Sequence, residues 1–284
     1  MSIVVAGAAG HLGRDVVSAL LARGVPAGEI VATARRTEAL ADLAARGVVV
    51  RFADHEDPAS LASAFAGAET LLLISGNVPG VRVEQHRNVI HAARDAGVRL
   101  LAYTSILKAD TSSLLLASDH RATEELLATS GVPHVILRNG WYFENYTGQL
   151  PTYLEHGIVG AAGNGRVSAA ARYDFADAAA AVLTTDGHVG AVYELGGTSF
   201  TLPEFAAALS TAIGRTVTYT DLPQNQFEEV LVAAGLPGPY AAIYADADRG
   251  IAAGDLFVES SDLEKLLGRQ PVSLEAALAT TAGA

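Results

Sequence analysis

The feature that most constrains this chain is a rhythm. Short, β-branched apolar runs alternate with longer alanine- and leucine-rich stretches through roughly the first half of the sequence. Residues 2–6, 30–34, 48–52, 70–74, 98–103 and 132–137 read as buried strands. Residues 12–22, 37–45, 60–65, 83–96 and 120–129 read as helices, several stopped by a glycine such as Gly24, Gly47, Gly97 or Gly131. Strands and helices in strict alternation predict an α/β fold, a doubly wound parallel sheet with helices on both faces. Past about residue 140 the rhythm breaks. Residues 157–168 are glycine-rich and turn-like, residues 176–183 read as a buried alanine helix, and Thr201-Leu202-Pro203-Glu204 is a capping box opening a helix to Ile213. Residues 216–220 alternate like a strand, and residues 228–234, 261–267 and a stretch from Ser273 look helical. The expected organisation is a sheet domain over residues 1–150 and a smaller α/β C-terminal cap over residues 151–284, with some segments returning to the sheet.

Between the first strand and the first helix stands Gly7-Ala8-Ala9-Gly10-His11-Leu12-Gly13. Glycine there permits a tight turn, lets backbone N–H groups approach a pyrophosphate, and lets the helix pack close on the sheet. The helix N-terminus adds partial positive charge. In this position the turn predicts a Rossmann-type dinucleotide site at Gly7, Ala8, Ala9, Gly10, His11 and Leu12. The second strand ends in Ala34-Arg35-Arg36, where an NAD enzyme usually carries an acid for the ribose 2′-hydroxyl. An arginine suits a 2′-phosphate instead, so Arg35 predicts NADPH over NADH. Asp54 after the third strand reads equally as an adenine neighbour or a turn residue. Ser75-Gly76-Asn77 after the fourth lies where the chain passes the ribose and nicotinamide, and Ser75 reads equally as a strand-end cap.

Composition excludes much else. The chain has no cysteine, hence no disulfide framework, thiolate metal site or cysteine nucleophile, and no His-Glu-x-x-His suggests zinc. Its 284 residues carry a formal charge of −12, which argues against a nucleic-acid or anionic-membrane surface. No apolar run is long enough for a membrane helix, and the start reads as a strand rather than a signal peptide, so a cytoplasmic protein is expected. Only two of the 19 basic residues, Lys108 and Lys265, are lysines.

That scarcity bears on the chemistry. Ketone-reducing relatives of such folds carry Tyr-x-x-x-Lys after the fifth strand. Here the fifth strand ends in Thr104-Ser105, but the next helix reads Leu116-Ala117-Ser118-Asp119-His120. His120 would take the lysine place and Leu116 the tyrosine place. Reducing a ketone makes an alkoxide of pKa about 15 to 16, for which a positioned acid is valuable. Reducing a quinone makes a phenolate of pKa about 10, which water protonates unaided. Quinones and cationic dyes therefore suit this site better than simple ketones. The sixth strand runs into Arg138-Asn139-Gly140-Trp141-Tyr142-Phe143-Glu144-Asn145. Its aromatic faces can stack on a planar acceptor, and Asn145 can hydrogen-bond a carbonyl oxygen. Tyr142 and Asn145 are the candidate catalytic residues; Trp141 and Phe143 read equally as anchors of the cap. His120 reads equally as a weak proton source or a helix-start residue.

Taken with Gln85-His86-Arg87-Asn88-Val89-Ile90, Gly160-Ala161-Ala162-Gly163 and Val192-Tyr193-Glu194-Leu195, these segments resemble the NmrA-like atypical short-chain dehydrogenase/reductases, most of all their NAD(P)H:quinone oxidoreductase type 2 group. The resemblance spans nearly the whole chain. It implies NADP contacts at Gly7 to Leu12, Arg35, Ser75, Gly76 and Asn77, at Asn139, Gly140, Trp141, Tyr142, Phe143 and Glu144, and at Arg172. Triphenylmethane-dye reductases look similar around residues 120–124, and some NmrA-like proteins sense NADP(H) without turnover. The quinone group tends to carry a serine run where Ser75-Gly76-Asn77 stands.

Overall fold

The computed structural model describes residues 2–78 and 80–282. Its centre is a seven-stranded sheet in which every neighbouring pair is parallel. Six strands come from the alternating half: β1 (Ile3–Ala6), β2 (Ile30–Ala34), β3 (Val49–Phe52), β4 (Thr70–Leu73), β5 (Leu100–Ile106) and β6 (His134–Asn139). Between them run α1 (His11–Ala22), α2 (Ala41–Ala45), α3 (Pro58–Ala64), α4 (Arg82–Asp95) and α5 (Leu115–Ser130). The remainder contributes β7 (Trp141–Tyr142), α6 (Glu144–Thr147), α7 (Leu150–His156), β8 (Ile158–Gly160), β9 (Val167–Ala170), α8 (Arg172–Thr184) and β10 (Val192–Leu195). It continues with β11 (Thr198–Phe200), α9 (Leu202–Ile213), β12 (Tyr219–Asp221), α10 (Gln224–Ala233), α11 (Gly238–Ala253), α12 (Asp262–Leu267) and α13 (Leu274–Ala282). The sheet order is β10-β6-β5-β4-β1-β2-β3, so the winding reverses between β1 and β4. Ligands of such sheets bind at that reversal, beyond the carboxyl ends of the strands.

Alternation along each strand builds two cores. Ile3 and Val5 of β1, with Leu100 and Ala102 of β5, join a cluster beneath α1 and α8. Val4 and Ala6, with Leu101 and Tyr103, face the opposite cluster around Phe65, Val89 and Ile90. Both faces are thus buried, which explains why these strands read as continuous apolar runs. The alanines of α8 let it pack on α1, and β10 then lies in the sheet beside β6, pairing Val192 with Ile136. A third core fills the cap. There Phe143 lies 6.1 Å from Phe200, and Tyr146 lies 5.2 Å from Phe205, ring to ring.

Several boundaries differ from the sequence expectation. The glycine-rich stretch 157–168 contains β8 and the first residues of β9, because β8 pairs with β12 and β9 lies between β7 and β11. The helix α5 starts at Leu115, so His120 sits in its second turn rather than at its start. The sixteen-residue α11 carries no strong apolar stripe and escaped the periodicity reading. The capping box at Thr201 and Glu204 forms with both reciprocal bonds.

Candidate active site

A cleft of about 780 Å³ runs across the carboxyl ends of the central strands. Its floor is the glycine turn. Gly7 has φ +95, and the Gly10 N–H turns back to the Gly7 carbonyl at 3.1 Å. A Cβ on Gly13 would stand 2.4 Å from the Gly7 oxygen and 2.6 Å from the Ala8 Cα, so only glycine allows α1 to start this close to the turn. No side chain caps α1, and no acid stands in its first turn. Its leading N–H groups are therefore free to meet an anion.

At one end of the cleft Arg35 and Arg36 follow β2. Arg35 is exposed, and its guanidinium has no hydrogen bond or ion pair among the described residues. Asp54 lines the cleft, and its Oδ1 accepts the Glu56 N–H at 3.0 Å, as expected of a turn residue. In the middle, Ser75, Gly76 and Asn77 are held from behind. The Ser75 N–H donates to Thr104 Oγ1 (2.9 Å), the Gly76 N–H to His86 Nε2 (3.1 Å), and Arg82 Nε to the Gly76 carbonyl (2.6 Å). Because His86 Nε2 accepts from a backbone amide, its proton lies on Nδ1, which meets Thr123 Oγ1 at 2.9 Å. Burial pushes the His86 pKa down to about 3, so the ring is neutral.

The far end is built from β5, β6, β7 and α5. Asn139, Gly140, Trp141, Tyr142 and Asn145 line it, together with His120 and Leu116. The Asn139 side chain is buried, its Nδ2 3.4 Å from the Tyr142 hydroxyl, and its Oδ1 has no protein partner. Tyr142 also packs on Phe175 at 5.2 Å, and burial raises its phenol pKa. Below this end, Arg138 joins Glu124 (2.6 Å) and Glu194 (2.8 Å), while Glu124 accepts the Ser105 hydroxyl at 2.6 Å. Those carboxylates hold the Arg138 guanidinium firmly charged, against a desolvation that opposes them.

The cleft brings together fifteen of the eighteen residues that the sequence assigned to cofactor contact or catalysis. Ala8, Phe143 and Glu144 do not line it. Ala8 is fully buried under the turn, and Phe143 is 1% exposed within the cap core. Both Glu144 carboxylate oxygens accept the Arg172 N–H at 3.0 Å, which caps the start of α8. Arg172 itself reaches the cleft, its Nε held by Asp15 at 2.6 Å. Residues that sequence reasoning passed over include Thr33 and Ile106 at strand ends, and Gln85 on α4. Strand-end position would have signalled the first two. Nothing local signals Gln85.

A family profile described as NAD(P)H-binding matches residues 7–186, well over half of the chain. The chain belongs to the NAD(P)H-binding family. Among the relatives of this NAD(P)H-binding chain is quinone oxidoreductase 2 of Escherichia coli (strain K12), 48% identical over 274 residues and matched over 96% of both chains. The crystal structure of an NADPH-dependent quinone oxidoreductase from Escherichia coli complexed with NADPH superposes with a TM-score of 0.95 at 47% identity, covering 98% of this chain and 99% of that one. The triphenylmethane reductase of Citrobacter sp. superposes with a TM-score of 0.94 at 37% identity over 100% of both chains. Among the described residues of the NAD(P)H-binding chain, no helix is long and apolar enough to cross a membrane, and no cluster of side chains suits a metal ion.

Proposed function

We propose that this protein is an NADPH-dependent quinone reductase. The cleft residues suit a dinucleotide on grounds internal to the structure. The glycine turn offers uncapped N–H donors to a pyrophosphate, Arg35 is an unpaired cation at the 2′-phosphate end, and the buried Asn139 Oδ1 lacks a donor at the other end. Gly7 to Leu12 other than Ala8, with Ser75 to Asn77 and Arg172, would complete the cofactor's contacts. When bound, the cofactor supplies two electrons and a hydrogen as hydride, so that NADPH, quinone and a solvent proton yield NADP⁺ and hydroquinone.

One observation carries the choice of acceptor. Neither lysine lies in the cleft: Lys108 Nζ donates to the Gly254 carbonyl at 3.0 Å, and Lys265 pairs with Asp262 at 3.5 Å. Leu116 stands in the cleft where a ketone reductase has its tyrosine. Without a strong acid the site favours acceptors whose reduced form is weakly basic, and a quinone is such an acceptor. Trp141 and Tyr142 offer flat faces to it, and Asn145 an amide donor to a carbonyl. The relatives named above support the same reading. Stopped-flow or steady-state loss of NADPH absorbance on adding benzoquinone or naphthoquinone tests it. Turnover with quinones is expected. NADPH bound tightly with no oxidation across a quinone panel would overturn it in favour of a sensor, and turnover of cationic triphenylmethane dyes alone in favour of a dye reductase.

A further inference from the structure

Resting on the quinone-reductase reading, we propose that His120 presents its Nε2–H to the acceptor's carbonyl oxygen, with Tyr103 holding the ring in the tautomer this requires. The helix α5 carries His120 over the carboxyl end of β5, where it is 7% exposed and lines the cleft beside Asn139, Trp141 and Asn145. Its Nδ1 lies 2.8 Å from the Tyr103 hydroxyl, with the two rings 5.9 Å apart. Tyr103 is wholly buried, and burial drives its phenol pKa upward, so the hydroxyl keeps its proton and donates it.

The surrounding bonds decide where that proton points. Thr123 spends its own hydroxyl proton on the Asp119 carbonyl at 2.8 Å and receives the His86 Nδ1–H at 2.9 Å. Ser75 also faces the phenol and spends its hydroxyl proton on the Gly76 carbonyl at 3.3 Å, while His120 Nδ1 stands at hydrogen-bond distance, 2.8 Å. With Tyr103 donating to Nδ1, the ring proton resides on Nε2. Among the described residues no protein group accepts from Nε2. His120 lines the cleft, where a bound acceptor can reach the ring nitrogen that Tyr103 leaves free. The charged groups around the ring are Arg82 and its partner Asp119, with neutral His86 behind. Burial and the Arg82 charge push the His120 pKa down to about 3, so the imidazole acts as a fixed hydrogen-bond donor and gives up no proton.

The role is that of an oxyanion donor. An acceptor that has taken up hydride carries one oxyanion until a solvent proton completes the hydroquinone, and Nε2–H stabilises that charge as it forms. Side-chain length separates this role from a structural one, because glutamine can place an amide N–H near the Nε2 position whereas asparagine reaches only the Nδ1 position. Expected for His120→Asn is a loss of about tenfold to a hundredfold in kcat/KM for quinones, with NADPH Kd within about twofold of wild type. This is below the loss typical of alkoxide-forming enzymes, because a phenolate is less basic. His120→Gln is expected to retain most activity. A ¹⁵N-histidine spectrum of the wild-type protein without added NADPH should show His120 as the Nε2–H tautomer, and Tyr103→Phe should abolish that preference. Wild-type turnover with quinones is measured first and bears on the functional reading alone. Given that turnover, an Nδ1–H tautomer, or an asparagine variant as active as the glutamine one, overturns the donor role.

Discussion

Replacing Arg35 by alanine should convert an NADPH-selective site into one that barely distinguishes the two nicotinamide cofactors. The magnitude follows from the state of the guanidinium. A charge-assisted hydrogen bond contributes about 1.5–3 kcal/mol. Arg35 makes no ion pair among the described residues, so engaging a phosphate sacrifices no existing contact. Arg172 differs, because Asp15 already holds it at 2.6 Å. Arg35 is exposed, however, and solvent screening places its contribution at the lower end of that range. The expected loss is about 1.5–2 kcal/mol, or roughly tenfold to thirtyfold in NADPH Kd. NADH lacks the phosphate and should bind within about twofold of wild type. Titrating protein fluorescence or calorimetric heat with each cofactor, at low and at physiological salt, measures both terms. The wild-type preference for NADPH should also narrow as salt rises, and the Arg35→Ala preference should not. Equal losses for NADPH and NADH would refute the phosphate contact, and no loss for either cofactor would shift it to Arg36, the other arginine lining that end.

Two further perturbations address the scaffold. Gly13→Ala forces a Cβ to 2.4 Å from the Gly7 carbonyl oxygen, so α1 or the turn must move; a loss of about 1–3 kcal/mol in urea unfolding, accompanied by weaker NADPH binding, is expected, and an unchanged midpoint would refute the close packing. Acid should weaken the fold through His86 and His120, both depressed by burial to about 3 from 6.5. The unfolded chain binds their protons first, so stability falls as pH drops from about 6.5 towards 3, by on the order of 1 kcal/mol per pH unit for each ring. Asp248, raised by burial to about 6, opposes this between roughly 4 and 6 but is one group against two. Urea midpoints measured from pH 7 to pH 4 in the double variant His86→Gln/His120→Gln should lose most of that slope.

What was legible in the sequence follows a physical division. The sheet was legible because strands buried on both faces cannot hide their composition, and because Gly7, Gly10 and Gly13 sit where the backbone itself does the work. Arg35's place on the cleft was legible because it is counted from that turn. The cap was less so. β7, β8 and β9 are two to four residues long, and each exists only because a distant partner completes its ladder. The same holds within the cleft. Phe143 and Asn145 stand in one aromatic run, yet one faces the cap core and the other the cleft. A run read from composition cannot say which, because the decision belongs to the short turn of α6 between them and Arg172, whose amide Glu144 caps from 28 positions away.

The His120 case carries the argument furthest. Counting from the missing Tyr-x-x-x-Lys pair placed His120 beside the acceptor but left its role open, since a histidine at a helix start needs no function. Two facts of the fold close that alternative. The helix begins at Leu115, which puts His120 a full turn inside it, and Tyr103, 17 positions earlier, occupies Nδ1. A lysine in its place would present a charge that burial beside Arg82 penalises. Histidine offers a neutral N–H instead, and a neutral donor is sufficient where the product is a phenolate rather than an alkoxide. With His120 in the proposed donor role, the shortage of lysine, the depressed imidazole and the choice of a quinone become one physical statement: the acceptor end of the cleft would meet a weakly basic oxyanion with a neutral donor.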